Sequence, residues 1–442
     1  MQRFVRDSLA LFSGQAVRVV IGLGSTIALA RFLGADARGQ FAIVMASTSI
    51  LSTVLTFGMP QTNWIFSGLD SKKNDQLLGI TLLTCILASL LGFILIFNAS
   101  VFLPSIYSFD VFRDPIFLIS AGTLCALMIL YSCLIEFLKG NQQFPFLGSI
   151  LPFQAFLIFL GYVICYNFEL GIYSAVLIQN GATFIAVILL FARACKVAAP
   201  SLAFSKEYMA KIARSCFSYF SVSLAITLAQ HSTPIFMSFF AMEASEIAQL
   251  AIALALIGQL ELIPTAVTSA FLPSLARGSD LTEAQIASKV AWTCKLSAII
   301  FFIIFISIAI PFVLLILPIF LGPEYELVGP LFIILSLGSF AASTGKIINV
   351  FFNLTNRASL EAIPVWVRVV LQIGLISLAG LAGNIYLFAV SIVVGRIARI
   401  LLSYFFFYRH TGITPVQLAP NFEAVRRVLQ IPNDLLAKRS GK

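Results

Sequence analysis

Apolar runs long enough to cross a lipid bilayer recur from one end of this chain to the other. About 30 Å of hydrocarbon requires roughly 20 apolar residues in helical form. Inside lipid every backbone N–H and C=O must be satisfied within the segment itself, so runs of this length dictate helices. Bounded by Gly, Pro, Asn or charge, the first six runs fall at Leu9 to Ala30, Gln40 to Trp64, Leu77 to Leu103, Ile116 to Phe137, Phe146 to Tyr166 and Leu170 to Phe191. The next six fall at Phe217 to Phe240, Ile247 to Leu272, Val290 to Phe320, Leu331 to Phe352, Ala362 to Ala382 and Ile385 to Tyr408. A chain of 442 residues that is 60% hydrophobic and 11% charged cannot bury this much apolar surface in a water-soluble core. The expected fold class is an all-α integral membrane protein of about 12 transmembrane helices. The first run has Arg18 at its centre and no A-x-A-like site after it, so it reads as a span rather than a cleaved leader.

The polar stretches divide the chain into an N-terminal six-helix bundle (1–192), a basic linker (193–215), a C-terminal six-helix bundle (216–408) and a basic tail (409–442). The linker carries Arg193, Lys196, Lys206, Lys211 and Arg214. These charges fall on the same side as Arg3, Arg6, Lys72, Lys73, Lys139, Arg277, Lys289, Lys295, Arg357 and the tail, whereas Arg31, Arg38 and Arg113 fall on the other. Cytoplasmic loops retain positive charge, so both termini are expected in the cytoplasm of a cell inner membrane. Arg31, Asp36 and Arg38 read as a solvated turn at the outer mouth, with Arg31 also a candidate gate. In the tail, Phe422, Val425, Val428 and Leu429 stand at helical spacing and suit a short helix lying on anionic lipid. Seven scattered cysteines and two histidines provide no metal-ligand spacing, and no cofactor or nucleic-acid partner is expected.

Six charged residues fall inside the spans: Arg18, Glu261, Lys346, Arg368, Arg396 and Arg399. Each costs at least about 2.5–3.5 kcal/mol at the centre of a membrane helix unless it is paired or wetted. Five cations against one acid exceed what ion pairing can cancel, so the surplus is expected to line a water-filled cavity that takes an anion. Arg18 and Arg396 lie near mid-span, while Lys346, Arg368 and Arg399 lie toward the cytoplasmic ends, where snorkelling is an equal explanation for Lys346 and Arg368. Arg396 and Arg399, three apart, share a helix face suited to adjacent phosphate oxygens. Gln230, Gln259 and Gln372 suit either sugar hydroxyls or neighbouring helices.

The two halves also align weakly. Leu29-Ala30-Arg31-Phe32-Leu33-Gly34-Ala35-Asp36 lies on Phe236-Met237-Ser238-Phe239-Phe240-Ala241-Met242-Glu243, which sets Pro234 three residues past the counterpart of Gly24. The opening residues Ser13-Gly14-Gln15, then Leu29-Ala30-Arg31-Phe32-Leu33-Gly34, Gly39-Gln40-Phe41-Ala42 and Phe57-Gly58-Met59-Pro60, resemble the Wzx-type polysaccharide biosynthesis flippases of the multidrug/oligosaccharidyl-lipid/polysaccharide exporter superfamily. The resemblance is concentrated in the first seventy residues and in Ser218 to Arg277. It implies two six-helix bundles in a V around a central cationic cavity, alternating access and a monomer. It further implies an undecaprenyl-diphosphate-linked oligosaccharide as substrate, membrane lipids and other polysaccharide assembly proteins as partners, and an O-antigen, capsule or exopolysaccharide pathway.

The family fold brings the first, second, seventh and eighth spans to the cavity, which makes Glu261 and Arg18 an expected pair, either a gate or a fixed structural contact. Transport then couples to the membrane potential or to H+ or Na+. A multidrug/cation antiporter needs buried carboxylates, of which the spans offer Glu261, with Glu136 and Glu361 near helix ends. A lipid II flippase would share the cationic cavity. A sugar polymerase or ligase would need a larger external loop than Pro104 to Pro115.

Overall fold

A computed structural model describes residues 2–69, 71–104, 107, 109–168, 171–201, 203, 205–262, 282–355, 357 and 359–418. Among these residues the chain is helical and contains no strand. The fold is that of an all-α integral membrane protein. Nine of the described helices are long and apolar enough to cross a membrane, with Ser13–Thr56 and Glu283–Leu321 counted once each.

The first helix, α1 (Gln2–Thr56), holds the first predicted span and most of the second as two arms that meet at Gly34, where φ is 70° and ψ is 176°; the second span is broken at Phe57 and Gly58 and continues into the next helix. Glycine enters this region without a Cβ clash, so a single residue breaks the helix where a longer turn would otherwise be needed. The internal alignment sets Gly34 on Ala241, and Ala241 also has a positive φ, 54°, between α7 and α8. Beyond α1, α2 (Met59–Leu69), α3 (Asn74–Phe97), α4 (Pro115–Gly140), α5 (Phe144–Phe168) and α6 (Gly171–Val197) complete the first half. Asp114 starts α4 by accepting a hydrogen bond from the Ile116 N–H, with Pro115 in the first turn.

The second half comprises α7 (Lys206–Phe239), α8 (Ala244–Leu260), α9 (Glu283–Ile304), α10 (Leu317–Leu321), α11 (Val328–Leu354), α12 (Ser359–Ala382) and α13 (Ile385–Thr411). Between α9 and α10 the helix widens into π turns at Phe305–Ala309 and Phe312–Ile316, flanking Pro311, which has no N–H to give its own turn. Thr282 and Gln285 form a capping box at the start of α9, and Asn384 caps α13. Along α3, Leu83, Ile86, Leu87, Leu90 and Leu91 are exposed, an outward apolar face that suits lipid and not water.

The interval 193–215 is mostly helix rather than linker, because α6 continues to Val197 and Ser205 caps α7 by accepting from the Tyr208 N–H. Ser201 and Ala199 then donate their N–H groups to the backbone carbonyl and side chain of Asp75, tying the short connection to α3. The eighth predicted span is helical over Ala244–Leu260, and its residues from 263 onward lie outside the described residues. Arg277 and the proposed tail helix around Phe422 also lie outside them.

The halves meet along two seams. In one, α2 and the end of α1 pack on α7: the Phe57 and Phe220 rings stack with centroids 4.3 Å apart, and the Thr53 and Thr227 hydroxyls lie 3.1 Å apart. Gly58 is required there, because a Cβ would sit 2.4 Å from the Cys216 carbonyl oxygen. In the other, at what is here termed the Gly34 end, the second arm of α1 packs on the start of α8 and on the turn between α10 and α11.

Candidate functional site

Between the halves lies a cavity of ≈ 490 Å³, walled by both arms of α1 together with α5, α6, α7, α8 and α13. Its lining mixes apolar side chains such as Leu29, Met45 and Leu254 with Thr26, Tyr162, Gln179, Gln230, His231 and Thr233. Three charged residues face it: Arg38, Glu261 and Arg396. Pro234 lines the cavity from within α7, which stays helical through it.

At one side of this cavity the charges form a cluster. Glu261 Oε1 lies 2.8 Å from Arg396 Nη1, and the two side chains are 15% and 9% exposed. Ser339 joins them, donating to Glu261 Oε1 at 3.2 Å and accepting from Arg396 Nη1. One turn further along α13, Arg399 Nη2 lies 3.8 Å from Glu361 Oε1, which also accepts from Asn349 Nδ2 at 2.6 Å. Arg368 is buried, donating to Gln372 Oε1 and to the Ala229 carbonyl, each at 3.2 Å. Gln230 reaches the same small pocket as Glu261, Arg368, Arg396 and Arg399.

The Gly34 end of the cavity is sealed by contacts across the halves. Arg31 donates from Nε to the Phe320 carbonyl and from Nη2 to the Ile319 carbonyl at 3.0 Å, capping the last turn of α10 where helix carbonyls lack partners. Tyr325 Oη donates to the Ala30 carbonyl at 3.0 Å and Ala35 N–H donates to Glu324 Oε2 at 3.3 Å, while within the second half Leu327 N–H donates to Gln249 Oε1 at 2.8 Å and holds this turn on α8. Removing the Arg31 clamp is expected to loosen this end. A cysteine at position 35 in an Arg31→Ala background should react with a water-soluble thiol reagent several-fold faster than in the parent, above the background from exposed Cys195.

The profile of a family described as polysaccharide biosynthesis protein matches residues 4–279. The chain belongs to this family. No curated protein sequence matches it significantly. Among solved structures, this polysaccharide biosynthesis protein is similar to the lipid II flippase MurJ in its inward closed conformation, with a TM-score of 0.70 and 13% identity over 94% of this chain and 95% of that one. It is also similar to an inward-facing multidrug resistance transporter of the MATE family, MOP superfamily, with a TM-score of 0.69 and 12% identity over 90% of this chain and 98% of that one. The eukaryotic MATE transporter AtDTX14 has a TM-score of 0.61 and 15% identity over 96% of this chain and 99% of that one. At these identities the likeness is one of fold.

Against this geometry, several sequence-predicted residues move to new surroundings. The expected Arg18–Glu261 pair is replaced by Glu261–Arg396. Arg18 instead faces a second pocket of ≈ 210 Å³ inside the first half, with Tyr131, Gln154 and Gln179. The first arm of α1 packs closely on α5, Gly14 directly against the Gly148 backbone, and this contact carries Arg18 away from the second half. The expected excess of cations shrinks, because Glu361 joins the cluster as a second acid. Arg368 does not snorkel, being held inside by Gln372 and Ala229.

Gln372 is fully buried and donates to the Ala229 carbonyl at 3.0 Å, which removes it from any sugar contact. Gln259 lies against Gly22, where an added Cβ would come within 2.9 Å of its amide nitrogen. Gln230 does line the cavity. Lys346 stands on α11, and its side chain lies outside the described residues. Arg38, read as part of a solvated turn, is buried in the cavity wall over the Phe41 ring. A one-residue break at Gly34 leaves Arg38 a full turn inside the second arm, near Tyr162 and Tyr325. The signal in the sequence was that Arg38 directly precedes Gly39-Gln40-Phe41-Ala42, already part of the second apolar run.

Proposed function

We propose that this polysaccharide biosynthesis protein is a flippase. It moves undecaprenyl-diphosphate-linked oligosaccharide repeat units from the cytoplasmic to the outer leaflet of the inner membrane by alternating access, with twelve crossings in two bundles arranged as a V and both termini cytoplasmic. The observation that supports this most is the cavity between the halves, whose mixed apolar and polar wall carries Arg38 and Arg396 and which is sealed at the Gly34 end. A diphosphate alone in hydrocarbon faces a barrier on the order of tens of kcal/mol, because nothing there replaces its water. Guanidinium groups and hydroxyls in a walled cavity supply that replacement for the head group, while the polyprenyl tail stays in lipid. Opening the Gly34 end and closing the other would then release the head group to the outside. With a negative cell interior, outward movement gains roughly 2.3 kcal/mol per negative charge per 100 mV, so the potential suffices as a driving force.

The chief competing activity is multidrug/cation antiport. It calls for an acid free to bind H+, Na+ or a cationic drug, and both Glu261 and Glu361 are engaged with arginines. The test is a deletion strain complemented with the intact chain, Arg396→Ala or Arg18→Ala at matched membrane abundance. Lipid-linked repeat units should accumulate on the cytoplasmic face in the deletion and with Arg396→Ala, and clear with the intact chain. Arg18→Ala, away from the main cavity, should act more weakly. A deletion that accumulates no precursor but becomes drug-sensitive rejects the flippase reading.

A further inference from the structure

Arg38 differs from every other described arginine of this cavity in how its charge is met. Arg396 and Arg399 have carboxylate partners, Arg368 has an amide and a carbonyl, and Arg31 has the carbonyls of α10. Arg38 is 8% exposed, and its Nε, like that of Arg396, has no hydrogen-bond partner among the described residues, but no carboxylate among them faces Arg38 as Glu261 faces Arg396. Its guanidinium lies 5.6 Å from the centroid of the Phe41 ring, a contact that holds a cation in place without neutralising it. Taking a charge out of water without an anion or a full set of hydrogen bonds is among the most costly arrangements in a fold.

The neighbouring groups are also incomplete. Tyr162 Oη, Gln179 Oε1 and Thr233 Oγ1 are buried, line the same cavity and lack hydrogen-bond partners among the described residues. Native interiors leave few such groups, and several in one wall call for a polar occupant. A planar guanidinium offers two parallel N–H donors to an oxyanion, hydroxyl and amide groups match the hydroxyls of a sugar, and an aromatic ring presents a flat apolar face. Depth separates this place from the arginine cluster. Arg38 is one turn past the break at Gly34, whereas Arg396 is roughly three turns into α13 from its cap at Asn384. Tyr325, the other aromatic beside Arg38, donates to the Ala30 carbonyl, so Arg38 lies immediately behind the seal.

We infer that Arg38, with Tyr162, Gln179 and Thr233, forms an anion-binding station at the Gly34 end of the cavity, separate from the Arg368–Arg396–Arg399 cluster. It takes a phosphate or carboxylate group of the transported head group before that end opens. The inference rests on reading the cavity as a passage for an anionic head group. Two sources fit the same chemistry: the diphosphate of the lipid carrier and the carboxylate of an acidic sugar.

The test uses the purified full chain in lipid nanodiscs, comparing the parent with Arg38→Gln and Arg38→Lys. Thermal unfolding and affinity are measured with inorganic pyrophosphate, methyl glucuronide and neutral methyl glucoside at matched ionic strength. The parent should bind at least one of the two anionic probes and ignore the neutral glycoside. Arg38→Gln should weaken that binding tenfold or more and, by removing an unpaired buried charge, unfold at a higher temperature without probe; Arg38→Lys should fall between. A response to pyrophosphate alone assigns the station to the carrier diphosphate, and a response to the glucuronide alone assigns it to the sugar. Unchanged affinity in Arg38→Gln overturns the station, as does a parent chain that binds neither anion. Precursor accumulation in cells is measured independently of this binding, so the station and the flippase reading can fail separately.

Discussion

Replacing Glu261 with glutamine is expected to destabilise the protein by about 3–5 kcal/mol, the usual cost of stranding one member of a buried ion pair. Glu261 and Arg396 are 2.8 Å apart and both largely enclosed. Ser339 donates to the carboxylate and accepts from the guanidinium, so it serves the pair as a unit and cannot compensate for the loss of one charge. Arg396→Met alone takes away the nearest cation of Glu261 and should also destabilise, by less, because Arg368 and Arg399 share the same small pocket with the carboxylate. The double variant Glu261→Gln/Arg396→Met removes both charges and should recover most of the loss, because the desolvation penalty disappears with the attraction. Unfolding of the four purified proteins completes the cycle, and a coupling energy near zero would mean that the pair contributes nothing. Transport separates stability from function. If Arg396 also contacts the substrate, the double variant folds but leaves lipid-linked precursor inside the cell; if the pair is purely structural, it transports normally.

That pair shows where sequence reasoning reaches and where it stops. Span positions are legible because twenty-residue apolar runs have no other soluble or membrane solution; most helices begin within about five residues of the predicted places, whereas α1, α7 and α9 begin at Gln2, Lys206 and Glu283, well before Leu9, Phe217 and Val290, because polar turns extend them. Asp114-Pro115 before α4 and Asn384 before α13 mark starts that capping chemistry alone would predict. Which charges meet is not local information. Arg18 and Arg396 are both mid-span cations in sequence, but whether either finds Glu261 depends on the rotation of each helix about its own axis, set by contacts such as Gly14 on Gly148. Glu361 reads in the sequence as lying near a helix end, and the first turn of α12 brings it beside Arg399. Arg38 was misplaced for a different reason. Gly34, Asp36 and two arginines within eight residues have the composition of a loop, and only the backbone reveals that Gly34 makes the break alone.

Changing Gly39 to alanine should disable transport by tenfold or more while leaving the chain folded, because it acts on the contact between the halves. A Cβ at position 39 would lie 1.8 Å from the carbonyl oxygen of Ala244 and 2.6 Å from its carbonyl carbon. Both are backbone atoms at the start of α8, so no side chain can swing aside and the halves must separate. Helix propensity pushes the other way, alanine being favoured over glycine by roughly 1 kcal/mol within a helix, so any loss has to come from the contact. The state sealed at the Gly34 end is therefore selectively penalised, and the population shifts toward one open there. Spin labels on the Gly34 ends of α1 and α8 should report a longer separation in Gly39→Ala than in the parent. Gly14→Ala provides the matched comparison: its Cβ would lie 2.1 Å from the Gly148 carbonyl oxygen, but both residues belong to the first half. It should lower stability and leave the separation unchanged. If Gly39→Ala transports normally and the labels do not move, closure of the Gly34 end does not depend on this contact, and the seal rests on Arg31, Glu324 and Tyr325 alone.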